Sequence, residues 1–195
     1  SASSLGSDVF LNNKPYNDTL AQNSAGASVI THELGHALGL KHPFDESDAS
    51  GDTPEPPYLQ GAEDHARWTM MSYQSSNAEN KLEFSPLDVA ALQYLYGPST
   101  TARIGDDTYT YDINAANFIW DGGGIDTLDA SFSTEAVTLF LEPGYWGYSG
   151  STKSEIITDK GQATINFGSV IENLLGSEYN DTLTGNDEAN SIHGN

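Results

Sequence analysis

Cysteine is absent from all 195 residues, so neither a disulfide nor a thiolate metal site is available. Cations are scarce: 7 Lys+Arg stand against 28 Asp+Glu, a formal charge of −21 spread over both halves of the chain. Nucleic acid and an anionic membrane both need a basic face, so neither is expected as a partner. No stretch approaches the roughly 18 apolar residues of a membrane span. The opening SASSLGSDVF lacks the basic start and apolar run of a signal peptide. Either export uses another signal, or the chain begins part-way through a longer protein. An exported protein without disulfides needs another staple. Calcium, which prefers oxygen ligands, would use the surplus of carboxylates. This length holds one ordinary domain or two small ones.

What the chain does have is His32-Glu33-x-x-His36-x-x-Gly39-x-x-His42. On a helix, residues four apart share a face, so His32 and His36 can grip one zinc ion, and Glu33 can reach a water on it. Gly39 permits a sharp turn that brings His42 back as a third ligand. The alternative, a helix with merely satisfied or surface histidines, does not account for the added Gly and third His.

Asn23 or Ser24 can cap this helix, expected over about residues 25–38, with Leu34, Ala37 and Leu38 packing on a sheet. Val9-Phe10-Leu11 reads as one strand. Residues 43–67, rich in Pro, Gly, Asp and Glu, form a long loop ended by WTMMSY. A second helix starts with Ser85 as cap, Pro86 and Asp88 in its first turn. Its apolar face holds Leu87, Ala90, Ala91, Leu92, Leu95 and Tyr96, and Gly97-Pro98 stops it.

Beyond Pro98 the character is strand, in TYTYDI, VTLFLEPG and ATINFGS. Asp121-Gly-Gly-Gly-Ile-Asp126 before Leu128, and Gly176-Ser-Glu-Tyr-Asn-Asp181 before Leu183, follow the nonapeptide pattern whose Gly-rich turns bind calcium between stacked strands. The tract to Asn195 continues the rhythm for about one and a half repeats, fewer than the three or so needed to stack. The natural chain is therefore expected to continue. Asp and Gly also favour turns without any metal.

Together, GSDVFLN, the zinc helix, Met71-Ser72-Tyr73, LQYLYG, Arg103-Ile-Gly-Asp, WDGGGIDTLD and Val170-Ile-Glu-Asn173 resemble, in order, the serralysins, secreted zinc metalloproteases of the metzincin clan. The resemblance implies a partial α+β metzincin-like protease domain over 1–98, then an all-β, parallel β-roll calcium-binding domain (RTX type) starting at 99–195. It implies one catalytic Zn2+ on His32, His36 and His42, Glu33 as base, Met71 in the Met-turn, and Tyr73 as an extra ligand and catalytic group. Several structural Ca2+ ions are implied by Arg103, Gly105, Asp107, Asp121, Gly123, Gly124, Asp126, Glu172, Gly176 and Asp181.

The resemblance further implies an extracellular bacterial endopeptidase acting on proteins and peptides, exported through a C-terminal signal outside this chain. Strands that precede GSDVFLN in the family, one of them holding substrate, are missing before Ser1. The chain thus reads as a fragment whose N-terminal part is a partner, possibly as a separate chain. Ser177 and Tyr179 stand where glycines are expected; a left-handed Tyr179 would be costly and would alter that calcium site. His65 and His193 read as surface histidines. Two rivals compete with the enzyme: a calcium-binding β-roll adhesion module with an inactive metzincin-like domain, and a structural zinc site closed by a fourth protein ligand. Structural sites favour Cys, which is absent, and have no use for Glu33.

Overall fold

The computed structural model describes residues 9, 11, 14, 15, 19–44, 57–75, 80 and 82–195. The strand expected at residues 9–11 centres on Phe10, outside the described residues, as does the 45–56 part of the long loop. The chain divides into two compact units, Ser1–Leu92 and Gln93–Asn195.

In the first unit, helix α1 spans Ala25–Ala37. Ser24 is its cap: the hydroxyl accepts from the Ala27 amide at 3.1 Å. Its end is a Schellman turn. The Gly39 amide donates to His36 O and the Leu40 amide to Gly35 O, both at 2.9 Å, with Gly39 left-handed at φ 95°. The buried stripe of α1 is Gly26, Ala27, Thr31 and Gly35, all small. Leu34 and Leu38, expected against a sheet, are 43% and 39% exposed, and no strand occurs among the described residues of this unit. A short 3-10 turn, Gly61–Glu63, follows the loop.

Helix α2 spans Pro86–Tyr96, and the division between the two compact units falls within it, between Leu92 and Gln93. Its expected apolar face is only partly realised. Leu95 and Tyr96 are 51% and 68% exposed, whereas Asp88 and Gln93 are buried. Polar partners decide this orientation. Asp88 is enclosed by hydrogen bonds in the first unit, and in the second Gln93 Oε1 accepts from Asn166 Nδ2 at 2.8 Å.

Nine short strands fill the second unit: β1 Thr108–Thr110, β2 Asn117–Ile119, β3 Thr127–Asp129, β4 Val137–Phe140, β5 Gly147–Ser149, β6 Gln162–Ile165, β7 Asn173–Leu175, β8 Thr182–Thr184 and β9 Ser191–His193. One sheet, in the order β1-β3-β7-β9, is wholly parallel. The other, β2-β6-β5-β4-β8, contains β5 antiparallel to both its neighbours. The chain alternates between the sheets along β1 to β4, and again along β7 to β9. This alternation arises because Asn173, Thr182 and Ser191 start successive strands, and Asn173 pairs with Ser191 one full coil later.

Leu128, Leu174 and Ile192 fall in register across one sheet, and Leu139 beside Leu183 in the other. Leu128, Leu174, Leu139, Ile165 and Ile171 belong to one core cluster drawn from both sheets. One or two buried apolar residues per strand suffice for most of the strands because each strand has a neighbour on which to stack.

Candidate metal centres

The sequence of α1 places His32 and His36 one turn apart, and the Schellman turn sends the chain back so that His42 meets them. His42 Nε2 lies 3.0 Å from His32 Nε2 and 3.1 Å from His36 Nε2. The far side of each helical imidazole is tied down: His32 Nδ1 bonds Met70 O at 2.8 Å, and His36 Nδ1 bonds Leu40 O at 3.0 Å. A carbonyl only accepts, so both Nδ1 atoms carry the proton and both Nε2 atoms present lone pairs. His42 can donate to at most one of them. Hydrogen bonds alone therefore do not satisfy the three-nitrogen convergence, which a cation would. Tetrahedral zinc with Zn–N of about 2.0–2.1 Å spaces its nitrogens by about 3.3 Å, close to the separations found. The donors fit zinc. Burial, and then the neighbouring imidazoles His36 and His42, push the His32 pKa down and favour the neutral, metal-binding form.

Beneath the helix, Met71 is buried, and its Sδ lies 2.4 Å from where a Cβ on Gly35 would be. Only glycine at position 35 lets this sulfur lie against the helix. A glycine inside a helix costs about 1 kcal/mol relative to alanine, which was the available signal that Gly35 has a packing role. Tyr73, 61% exposed, has its ring centroid 4.8 Å from that of His42 and 5.7 Å from that of His32. Glu33, half-buried, follows His32 on the helix.

Sequence reasoning assigned Asp88 only to the first turn of α2, but it does more. Its Oδ2 accepts from the Met70 amide at 2.7 Å and the Ser85 amide at 2.9 Å, and its Oδ1 from Thr69 Oγ1 at 2.6 Å. Met70 O in turn orients His32. One carboxylate thus caps α2 and, through one residue of backbone, sets the tautomer of a metal-facing imidazole. No local pattern carries that signal.

His65 and His193 lie outside the triad. His193 is exposed and bonds Ser191 Oγ at 3.2 Å, whereas His65 is half-buried, with Nδ1 accepting from the Arg67 amide at 3.3 Å.

In the second unit, Asp107, Asp121 and Asp126 each offer a carboxylate oxygen, all within 4.8 Å of one another. Asp126 is fully buried; its Oδ1 accepts from the Asp107 amide at 2.7 Å, but Oδ2 has no hydrogen-bond partner. Burial, followed by the Asp121 and Glu172 charges, lifts its pKa to about 6. An orphaned buried carboxylate oxygen among acids suits a hard cation such as calcium.

The surrounding backbone is close-set. The Gly122 amide donates to Arg103 O at 2.9 Å, and a Cβ on Gly124, at φ 151°, would lie 2.1 Å from Gly105 O. Gly123 donates to the Asp121 carboxylate, and Glu172 accepts from the Asp126 amide at 2.7 Å. Arg103 takes a left-handed φ of 52° while its guanidinium lies 4.0 Å over the Trp120 ring. Tyr109, not singled out from the sequence, donates to Asp121 Oδ1 at 2.5 Å; burial and this bond push its pKa up.

Gly176 and Asp181 form a separate turn. Asp181 Oδ2 accepts from the Ser177 amide at 2.6 Å, while Oδ1 accepts from Ser177 Oγ at 2.6 Å and the Val137 amide at 2.9 Å. Tyr179 does not take the left-handed backbone expected of it: Asn23 and Arg103 are the only non-glycine residues with positive φ among those described. Ser177 closes the turn by hydrogen bonding, which relieves Tyr179 of that conformation.

Residues 1–85 match the model of metallo-peptidase family M12. Metallopeptidase AprA of Pseudomonas marginalis is 33% identical over 96% of this chain and 43% of its own length. Serralysin of Photorhabdus luminescens is 32% identical over 90% of this chain and 39% of its own, and serralysin G of Dickeya chrysanthemi 32% over 96% and 42%. The chain spans about two fifths of the length of these relatives. A metallopeptidase family implies a metal, and the histidine triad has the donors for zinc. Over 90% or more of its length the chain is thus similar to serralysin-type metallopeptidases.

Proposed function

We propose that the chain carries the catalytic centre of a zinc endopeptidase that hydrolyses peptide bonds of proteins and peptides. The observation that supports it most is the meeting of three Nε2 atoms whose helical members have their Nδ1 protons committed to Met70 O and Leu40 O.

His32, His36 and His42 would hold the ion. Zinc, when bound, lowers the pKa of water toward about 7 and polarises a carbonyl. Glu33 accepts the proton of the attacking water and returns it to the leaving amine. Tyr73, at the edge of the cluster, donates its hydroxyl proton in a hydrogen bond to the carbonyl oxygen as charge develops there, a contact specific to the transition state. Met71 and Gly35 form the floor that keeps the helix in place, and Asp88 fixes the carbonyl that orients His32.

We assign residues 1–98 to the catalytic domain and 99–195 to a calcium-binding β-roll. Asp107, Asp121 and Asp126 would bind Ca2+ together with carbonyls of Arg103, Gly105, Gly123 and Gly124, with Glu172 closing a neighbouring site. Gly176 and Asp181 would give a weaker site, because Ser177 already occupies the Asp181 carboxylate. Calcium in place of disulfides suits a bacterial protein that works outside the cell. Casein cleavage tests the enzymatic reading: a zinc chelator should abolish it and added zinc restore it. Cleavage insensitive to the chelator would exclude the mechanism.

A further inference from the structure

We propose that Phe44 is a positioning residue that fixes the third histidine and Tyr73 at the metal centre. The inference rests on the zinc reading above. His32 and His36 project from one rigid helix, but His42 arrives on a segment that has already left it through the left-handed Gly39. Its ring plane has to be set by what surrounds it. Phe44 stacks on it nearly in parallel, with centroids 5.2 Å apart and planes 9° from each other. The same phenyl ring lies 4.9 Å from the ring of Tyr73, which is itself 4.8 Å from His42. The three rings form a closed triangle with Phe44 as its one non-polar member. It can neither ligate a metal nor move a proton, so its contribution is orientation.

The stem beneath the ring is anchored. Pro43 is buried, its φ is locked by its own ring, and its carbonyl accepts from the Leu59 amide at 2.8 Å. A phenyl held from behind in this way limits how far Tyr73, largely exposed, can swing. It also holds the His42 imidazole so that Nε2 faces the other two. Aromatic pairs of this kind contribute enough for removal of the flat face to weaken zinc binding about three- to tenfold.

The test compares Phe44→Ala, Phe44→Leu and Phe44→Tyr with the parent protein, measuring zinc affinity by chelator competition and separating kcat from KM on a peptide substrate. Leucine fills the space without the flat face, which guards against a trivial folding defect in the alanine variant. Phe44→Leu and Phe44→Ala should each lose about three- to tenfold in zinc affinity, with kcat falling more than KM rises, and Phe44→Tyr should restore both. Parent-like affinity and kcat in Phe44→Leu would reduce Phe44 to a space-filler and overturn the proposal alone. A parent protein that binds no zinc, or binds it equally well as His42→Ala, would overturn the metal reading itself.

Discussion

The two units each gather three metal-capable side chains within 4.8 Å, but by opposite means. In the first, imidazoles come from a helix and the turn that ends it, and backbone carbonyls fix the tautomers of the two helical ones. In the second, carboxylates come from turns between stacked strands, and burial leaves one oxygen without a partner. Nitrogen donors in a spaced triad suit zinc, and oxygen donors in a charged nest suit calcium. The difference teaches that donor type and the element presenting it together select the ion. On the proposed reading, one centre would serve chemistry and the other would hold strands in register.

The comparison breaks most completely if the triad is cut. His36→Ala should remove stoichiometric zinc and all measurable peptidase activity while leaving the calcium response of the second unit intact, as measured by metal analysis and a calcium titration of the thermal transition. Next in size is the support behind His32. Asp88→Asn should lower zinc affinity about 10- to 100-fold in a chelator competition, as loss of groups behind a metal ligand does elsewhere. On the other side, Gly124→Ala should weaken or abolish the upward shift in Tm that calcium produces, because a Cβ there collides with Gly105 O in a backbone conformation that alanine avoids. Zinc content should not change.

The smallest effect is the most diagnostic. Without metals the two clusters have opposite pH signatures. Asp126 titrates near 6 when folded and near 3.8 otherwise, so it contributes stability below about pH 4 that is lost as pH rises through 6. Burial raises its pKa most, and the Asp121 and Glu172 charges add to that rise. His32, with its folded pKa pushed below 6.5, contributes stability that is lost as pH falls below 6.5. Thermal scans of chelated protein from pH 4 to 7 should show these opposing slopes, and Asp126→Asn should remove the first of them only.

Much of this was legible in the sequence because it is local. The cap, the left-handed Gly39 and the histidine spacing lie within 19 residues of one another, and the nine-residue rhythm after β7 is written in the order of residues. What could not be read is long-range. Asp88 reaches Met70 across 18 positions, and Met70 reaches His32 across 38. The close approach of Met71 to Gly35 and the stacking of Phe44 on His42 depend on rings and sulfur meeting in space. Leu95 and Tyr96 looked like core on helical periodicity, but hydrogen bonds to Asp88 and Gln93 turned that face of the helix outward. Tyrosine for glycine at 179 suggested a strained turn, whereas the Ser177 hydroxyl closes the turn and Tyr179 keeps an ordinary backbone.

The central claim, that the triad holds a catalytic zinc with Glu33 as the base, is tested most directly by comparing Glu33→Gln with the parent for zinc content and peptide cleavage. Each should hold one equivalent of zinc, with cleavage reduced by about 10²–10⁴-fold in Glu33→Gln. Equal cleavage by the two proteins, or an absence of zinc from both, would contradict it.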